Sequence, residues 1–153
     1  MITKEIYEKL RKKHSLPDYE TLNNEVEISS IEQEEFLIRA IRRKIIEKTG
    51  ELRDMLESIL QPGAESFADL HECRFFDDND KKKIIEIYKK LMIFNRFSSE
   101  AELVADDKKD AEFINEFFKE WGKLKKSVLP FLEMAKKCWE EETEIEEKLE
   151  YMG

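Results

Sequence analysis

The chain has 153 residues, of which 41% are apolar and 41% are charged, and its formal net charge is −9. The length favours one domain, the apolar content excludes disorder of the whole chain, and four glycines and three prolines are too few for a β-sandwich or barrel. The negative charge disfavours a protein whose whole surface grips nucleic acid.

The N-terminal third predicts two short anchoring helices. The apolar spacing over residues 3–13 predicts an amphipathic helix that ends near His14. Ser15 is expected to cap a second helix, with Pro17 in its first turn.

A long central helix is predicted from about Ser30 to Leu60. Ser29 and Ser30 are each followed three residues later by Glu or Gln, which is the pattern of a capping box. Gly50 lies inside this helix and is expected to be a weak point, because the apolar phase is the same on both sides. The apolar stripe consists of Ile38, Ile41, Ile45, Leu52, Leu56 and Ile59.

The C-terminal half predicts three further helices and a short turn or helix before the last of them. Residues 64–73 predict a short helix, and the acidic residues 77–80 predict the cap of the next one. Ser98 is expected to begin a separate short turn or helix. Asp106 and Asp107 are expected to begin the last long helix, which either kinks or breaks in two near Pro130.

Together these patterns predict an all-α fold, an irregular bundle of four or five main helices with a long central helix and short N-terminal anchoring helices. We expect residues 1–153 to form a single helical domain. Its C-terminal helix, at about residues 139–153, is acidic, because this segment contains seven Glu and one Lys.

No motif predicts a catalytic or metal site. His71 and Cys73 lie close together, but zinc usually needs a second pair of ligands, so we expect a half-buried histidine and a core cysteine. Residues 77–80 resemble part of a calcium loop without its glycine, and a helix cap is favoured. The four glycines are too scattered for a phosphate-binding loop. We therefore expect no cofactor.

Two basic runs are candidates for contacts with phosphate or with an acidic partner. They lie on the long helix and at the start of the helix after residue 80. If those helices pack side by side, the charges form one patch, although two solvated faces are the favoured alternative. The candidate residues are Arg39, Arg42, Arg43, Lys81 and Lys82.

Apolar residues outside the main stripes indicate a partner. Phe36 and Ile46, on the long helix, must be covered by the N-terminal helices or by another chain. The adjacent Phe75 and Phe76 form either a plug in the core or an exposed handle. Two in the acidic C-terminal segment suit a helix better than a lipid surface. These candidates are Phe36, Ile46, Phe75, Phe76, Ile145 and Leu149.

The favoured function is a non-enzymatic helical protein-interaction module, a small subunit or adaptor that binds another protein or its own copy as a homodimer. The alternatives are a nucleic-acid-associated factor that uses a basic helix face and a metal-dependent helical enzyme. With no signal peptide and no bilayer-spanning apolar run, we expect a cytoplasmic protein that does not bind membranes. The excess of Lys, Glu and Ile is typical of hot-growing organisms and also of AT-rich genomes.

Overall fold

The computed structural model describes residues 4–33 and 35–141, and within these ranges the chain forms helices and no strand. The predicted all-α class, a helical bundle with a long helix over the predicted central region, is confirmed. The elements are α1 (Lys4–His14), α2 (Tyr19–Val26), a 3-10 turn (Ile28–Ser30), α3 (Leu37–Leu60), α4 (Phe67–Phe75), α5 (Asp78–Val104) and α6 (Asp107–Glu140).

The chain divides into two compact units. Unit 1 comprises Met1–Leu52 and Leu91–Gly122, and unit 2 comprises Arg53–Lys90 and Lys123–Gly153. The boundaries fall inside helices α3, α5 and α6. The expectation of a single domain over residues 1–153 stays a prediction. From residue 142 onward, the predicted acidic helix lies outside the described residues.

Unit 1 has an aromatic core on α5 and α6. The Phe113 and Phe117 rings stack with centroids 6.2 Å apart, and Phe94 packs edge-on against both. Trp121 stacks on Phe117 at 5.0 Å and donates its indole N–H to the Glu25 carboxylate on α2 at 2.7 Å. α2 is thereby tied to the core.

In unit 1 the apolar faces predicted for the N-terminal helix and for the long central helix are buried. Tyr7 on α1 is fully buried, and its hydroxyl donates to the Pro17 carbonyl. The first half of the predicted α3 stripe is buried as well, at Ile38, Ile41 and Ile45.

Unit 2 packs the second half of that stripe, α4 and the adjoining parts of α5 and α6. Leu56 and Ile59 are buried, and Phe76 packs against Phe131 with ring centroids 6.2 Å apart. Phe76 is therefore a core plug. That Phe76 binds a partner stays a prediction, which the burial of its ring disfavours.

Two predicted helix starts are wrong. α3 begins at Leu37 because Ser30 instead closes the 3-10 turn, where its hydroxyl donates to the Glu27 carbonyl at 2.7 Å. α2 is capped by Asp18, whose carboxylate accepts from the Thr21 backbone N–H at 2.8 Å. Ser15 has a φ of 55° and follows the end of α1.

The predicted caps of the two longest helices are confirmed. The Asp77 carboxylate accepts from the Asp80 N–H at 2.8 Å, and the Asp106 carboxylate accepts from the Lys109 N–H at 2.7 Å. These contacts satisfy N–H groups that have no partner within their own helix.

Helices α3, α5 and α6 run through the positions at which the sequence suggested interruptions. Gly50 lies inside α3, as expected. The separate element predicted at Ser98 is wrong, because α5 continues to Val104. The sequence left open whether the last helix kinks or breaks in two near Pro130. The break is wrong, because α6 runs through Pro130 as one helix. None of the described helices is both long and apolar enough to cross a bilayer.

Candidate interaction surfaces

Arg42 is the centre of a buried polar network in unit 1. Its side chain is 2% exposed, and its Nε donates to Asp110 Oδ1 at 2.6 Å. Nη1 donates to the Ser98 carbonyl at 3.2 Å, and Nη2 donates to the Glu102 carboxylate. The guanidinium is enclosed and bonded within this chain, so a contact of Arg42 with phosphate or an acidic partner stays a prediction, which this burial disfavours.

The charges of this network shift the pKa values of its carboxyl groups. Hydrogen bonds from Arg43 and Arg42 lower the pKa of Glu102 to about 2. Burial raises the pKa of Asp110, and the hydrogen bond from Arg42 offsets part of that rise. The network thus contains one exposed carboxylate that strongly favours its charged form and one buried carboxylate that accepts a hydrogen bond from Arg42.

The other two arginines of the first basic run are also engaged within the chain. Arg43 is exposed and pairs with Glu102, which raises the pKa of Arg43. Arg39 lies over the Phe36 ring, 4.6 Å from its centroid, and its Nη2 lies 3.5 Å from the Ala105 carbonyl. This engagement weakens the nucleic-acid alternative, which depends on cations free to meet phosphates.

The second basic run begins α5 and belongs to unit 2. The ammonium group of Lys81 lies 3.4 Å from the sulfur of Cys73 and is half-buried, whereas Lys82 is exposed. Lys82 is therefore the member of this pair that is open to solvent.

Phe36 is an exposed aromatic residue in a strained backbone conformation. Its side chain is 57% exposed, and its φ is 55°. The other residues with positive φ, Ser15, Glu27 and Ala105, each directly follow a helix, where the left-handed conformation is common. Phe36 instead precedes α3, and a bulky side chain at positive φ is a real outlier.

Phe36 belongs to an apolar surface of unit 1, named here the Phe36 surface. Phe36, Arg39 and Ala105 line one groove of about 470 Å³. Leu103 and Val104 directly precede Ala105, and their side chains are 89% and 50% exposed. The Phe36 surface consists of the groove residues Phe36, Arg39 and Ala105, and Leu103 and Val104 adjoin it in the sequence.

The other predicted partner-binding residues are less accessible or lie outside the description. Ile46 is half-buried. Phe75 is also half-buried, with its ring edge-on to Phe76 at 5.8 Å. Ile145 and Leu149 lie outside the described residues. Of the candidates within the described part of the chain, Phe36 is thus the most exposed.

A second groove, of about 390 Å³, lies between the parts of α5 and α6 that belong to unit 2. Its apolar floor is formed by Ile87, Leu124 and Phe131, which are buried. Three ammonium groups surround this floor, and within residues 4–33 and 35–141 none of them forms an ion pair. We name this site the lysine-rimmed groove. Its rim is Lys83, Lys90 and Lys126, and Glu86, Ser127 and Pro130 also line it.

Pro130 gives this groove an unusual backbone. Proline has no N–H, so the carbonyl of Lys126, four residues earlier, has no donor at the usual helical position. Lys126 and Pro130 both line the groove. The sequence showed the proline, but it did not show that α5 packs beside it.

His71 occupies a closed site in unit 2. Its side chain is 1% exposed, its Nε2–H donates to the Cys138 carbonyl at 3.0 Å, and its ring lies 4.5 Å from that of Trp139. The expectation at this cluster is wrong in both parts: His71 is buried, whereas Cys73 is half-buried.

No group of three or more His, Cys, Asp or Glu side chains is placed to hold a metal ion within residues 4–33 and 35–141. The metal-dependent alternative stays a prediction that elemental analysis of the purified protein can test. Comparison of the chain with protein-family models, with curated proteins and with solved structures finds no match.

Proposed function

We propose that the protein is a non-enzymatic helical interaction module that binds another protein through the Phe36 surface. The observation that carries the proposal is an aromatic side chain held outside the core at a φ of 55°. A strained conformation of this kind costs about 1–3 kcal/mol, and glycine adopts it without that cost. An exposed ring recovers little of that energy by burial within its own chain.

The contact with Arg39 fixes the direction of the ring without hiding it. An exposed cation–π contact contributes about 0.5–1 kcal/mol, which is at or below the low end of the strain energy. A partner with an apolar cleft buries the exposed Phe36 ring. Arg39 then lies at the rim of the contact, where it favours a partner carboxylate.

The absence of catalysis is part of this proposal. The ring of His71 is enclosed by Phe67 and Trp139, and its Nε2–H is bonded to a backbone carbonyl, which leaves a substrate no approach to that nitrogen. We also propose a reducing, cytoplasmic location, which the two free cysteines support.

The variant Phe36→Gly tests the role of the ring without adding strain. Native lysate is passed over the wild-type protein and over Phe36→Gly, and captured proteins are identified by mass spectrometry. The Kd of each captured protein is then measured by calorimetry. We expect Phe36→Gly to weaken binding at least about tenfold, because a buried aromatic anchor commonly contributes more than 1.4 kcal/mol. Its Tm is expected to stay equal or to rise.

The matched control is Ile93→Ser, which removes another exposed apolar side chain from α5, outside the Phe36 surface. Binding that is unchanged in Phe36→Gly, or equally weakened in both variants, contradicts the proposal.

A second copy of the chain is the alternative partner. The Phe36 groove is also lined by Glu35 and Asp107, so its rim carries both signs of charge and two copies can be complementary. Light scattering distinguishes the two cases. A mass of 18.4 kDa at high protein concentration refutes the homodimer, and a mass twice as large that returns to 18.4 kDa in Phe36→Gly shows that the partner is the chain itself.

A further inference from the structure

The lysine-rimmed groove carries a concentrated positive charge. Residues 81–90 contain five lysines and one glutamate, and residues 123–131 contain three lysines and no acidic residue. Among the residues that the structure describes, no carboxylate pairs with Lys83, Lys90 or Lys126. Like charges on neighbouring helices repel each other, so an anionic ligand at this rim relieves a repulsion that is already present.

Apolar surface lies between these ammonium groups. The floor is formed by Ile87 of α5 and by Leu124 and Phe131 of α6, and the exposed Pro130 adds to the apolar lining. A nucleic-acid backbone gains nothing from such a surface, because its contacts with proteins are charged and polar. It also carries a charge at every phosphate, whereas a peptide can place a neutral residue opposite Glu86. The ligand that fits therefore combines carboxylates with apolar side chains.

The spacing of the lining residues matches a helix. Lys83 and Lys90 lie seven residues apart on α5, and each such step spans about two helical turns, or about 10.5 Å. Leu124 and Phe131 are separated by the same step on α6. A furrow between two packed helices receives the apolar face of a third helix. On that helix, apolar residues at i, i+3, i+4 and i+7 cover the floor, and glutamates beside this stripe reach the ammonium groups.

We infer that the lysine-rimmed groove is a docking site for an acidic amphipathic helix of another protein. The glutamates of that helix pair with Lys83, Lys90 and Lys126, and its apolar stripe covers the floor. The groove consists of residues of unit 2, whereas the Phe36 surface belongs to unit 1, so this inference does not depend on the proposed function. It gives the chain a second binding surface, which selects its partner by charge.

A synthetic peptide tests this docking on the full-length protein. The probe is a fluorescein-labelled helix of about 20 residues, with leucines at i, i+3, i+4 and i+7 and glutamates on both sides of this stripe. Fluorescence anisotropy at about 0.05 M salt measures its Kd, which we expect to be about 100 μM or lower. Replacing the glutamates by glutamine, or the leucines by serine, is expected to weaken binding at least about tenfold. A weaker Kd for the probe, or binding that either replacement leaves unchanged, overturns the inference.

A charge reversal on the protein assigns the binding to the groove. Lys90→Glu with Lys126→Glu is expected to weaken binding of the probe at least about tenfold, because the rim then repels glutamate. A probe with lysine in place of glutamate is expected to bind this variant better than the wild type, which also shows that the variant is folded. The matched control is Lys82→Glu with Lys136→Glu, which changes the net charge equally at exposed residues that do not line the groove. Equal weakening in the two variants overturns the inference.

Two other occupants of the groove are distinguished in the same experiment. A single-stranded oligodeoxynucleotide of equal charge is expected to bind more weakly than the probe and to lose its binding when the salt is raised to about 0.5 M. DNA binding as tight as that of the probe overturns the inference in favour of nucleic acid. A doubled mass in light scattering that returns to 18.4 kDa in Lys90→Glu with Lys126→Glu overturns it in favour of a second copy.

Discussion

Among the residues that the structure describes, the largest buried polar side chain is Arg42 in unit 1 and His71 in unit 2. Arg42 is a permanent cation held by Asp110, while His71 gives one ring N–H to the backbone carbonyl of Cys138. The two residues are almost equally enclosed. Burial of a charge makes each member of the ion pair depend on the other, whereas the buried imidazole depends on hydrogen bonding to the backbone. Similar burial therefore predicts different sensitivity to substitution.

The largest expected effect is in unit 1. Asp110→Leu leaves the Arg42 cation without its buried counter-charge, so we expect the free energy of unfolding to fall by about 3–5 kcal/mol. Urea denaturation measures this loss. Arg42→Met added to Asp110→Leu is expected to recover most of it, since no charge then remains buried. Glu116→Gln, at an exposed pair with Lys119, serves as control. A loss below about 1 kcal/mol in Asp110→Leu would show that water reaches Arg42.

A smaller loss is expected at the histidine of unit 2. His71→Phe keeps an aromatic ring against Phe67 and Trp139 but leaves the Cys138 carbonyl without this donor. We expect the free energy of unfolding to fall by about 1–3 kcal/mol. His71→Gln keeps an N–H donor and is expected to lose less. If both variants lose the same amount in urea denaturation, the hydrogen bond is not the stabilising feature.

Replacing glycine by alanine is expected to raise the stability at Gly122 in unit 1 and not at Gly63 in unit 2. A methyl group at Gly122 within α6 meets no other atom within 4 Å, so Gly122→Ala is expected to stabilise the protein by up to about 1 kcal/mol. At Gly63 the methyl group would lie 3.3 Å from Asp69 Oδ2, which accepts from the Gly63 N–H. Thermal unfolding compares the two variants, and equal Tm values would contradict the difference in space.

The smallest expected effect is the acid response of the exposed carboxylate in the unit 1 network. The pKa of Glu102 is about 2, below its ordinary value of 4.5. The stabilisation is therefore complete above pH 4.5 and is lost as the pH falls toward 2. Because the side chain is 43% exposed, we expect less than about 1 kcal/mol. Glu102→Gln is expected to flatten the pH dependence of unfolding in this window, and a profile that runs parallel to the wild type would refute the assignment.

The apolar faces of the helices could be predicted from the sequence. The buried ion pair between Arg42 and Asp110 is also indicated by the sequence, in part. Arg42 lies four residues after Ile38 and three before Ile45, on the same face as the buried stripe. Asp110 likewise lies four residues before Ile114 on the apolar face of α6. A charged residue on a buried face indicates a buried partner. Periodicity gives the face of a helix but not which helix packs against it, so the pairing itself was not predictable.

The surfaces were predictable only in part. The helical periodicity indicated that Phe36 lies off the apolar stripe. Its positive φ could not be predicted, because the capping pattern at Ser30 predicts a helix that already includes Phe36, whereas α3 begins at Leu37. The exposed end of α5 was not predictable either, because the pattern at Ser98 predicts a separate short element where α5 continues to Val104. The lysine-rimmed groove depends on α5 packing beside Pro130, a tertiary contact that no local pattern shows.

The two thiols differ in exposure although both are free. Cys73 is half-buried, whereas Cys138 is fully buried, with its sulfur 3.8 Å from the His71 carbonyl. An alkylating reagent reaches Cys138 only while its surroundings are open, so its labelling rate relative to that of an unhindered thiol reports how often α4 and the end of α6 separate. The labelling rate of Cys138 therefore measures local unfolding at this site in the wild-type protein, without an introduced cysteine.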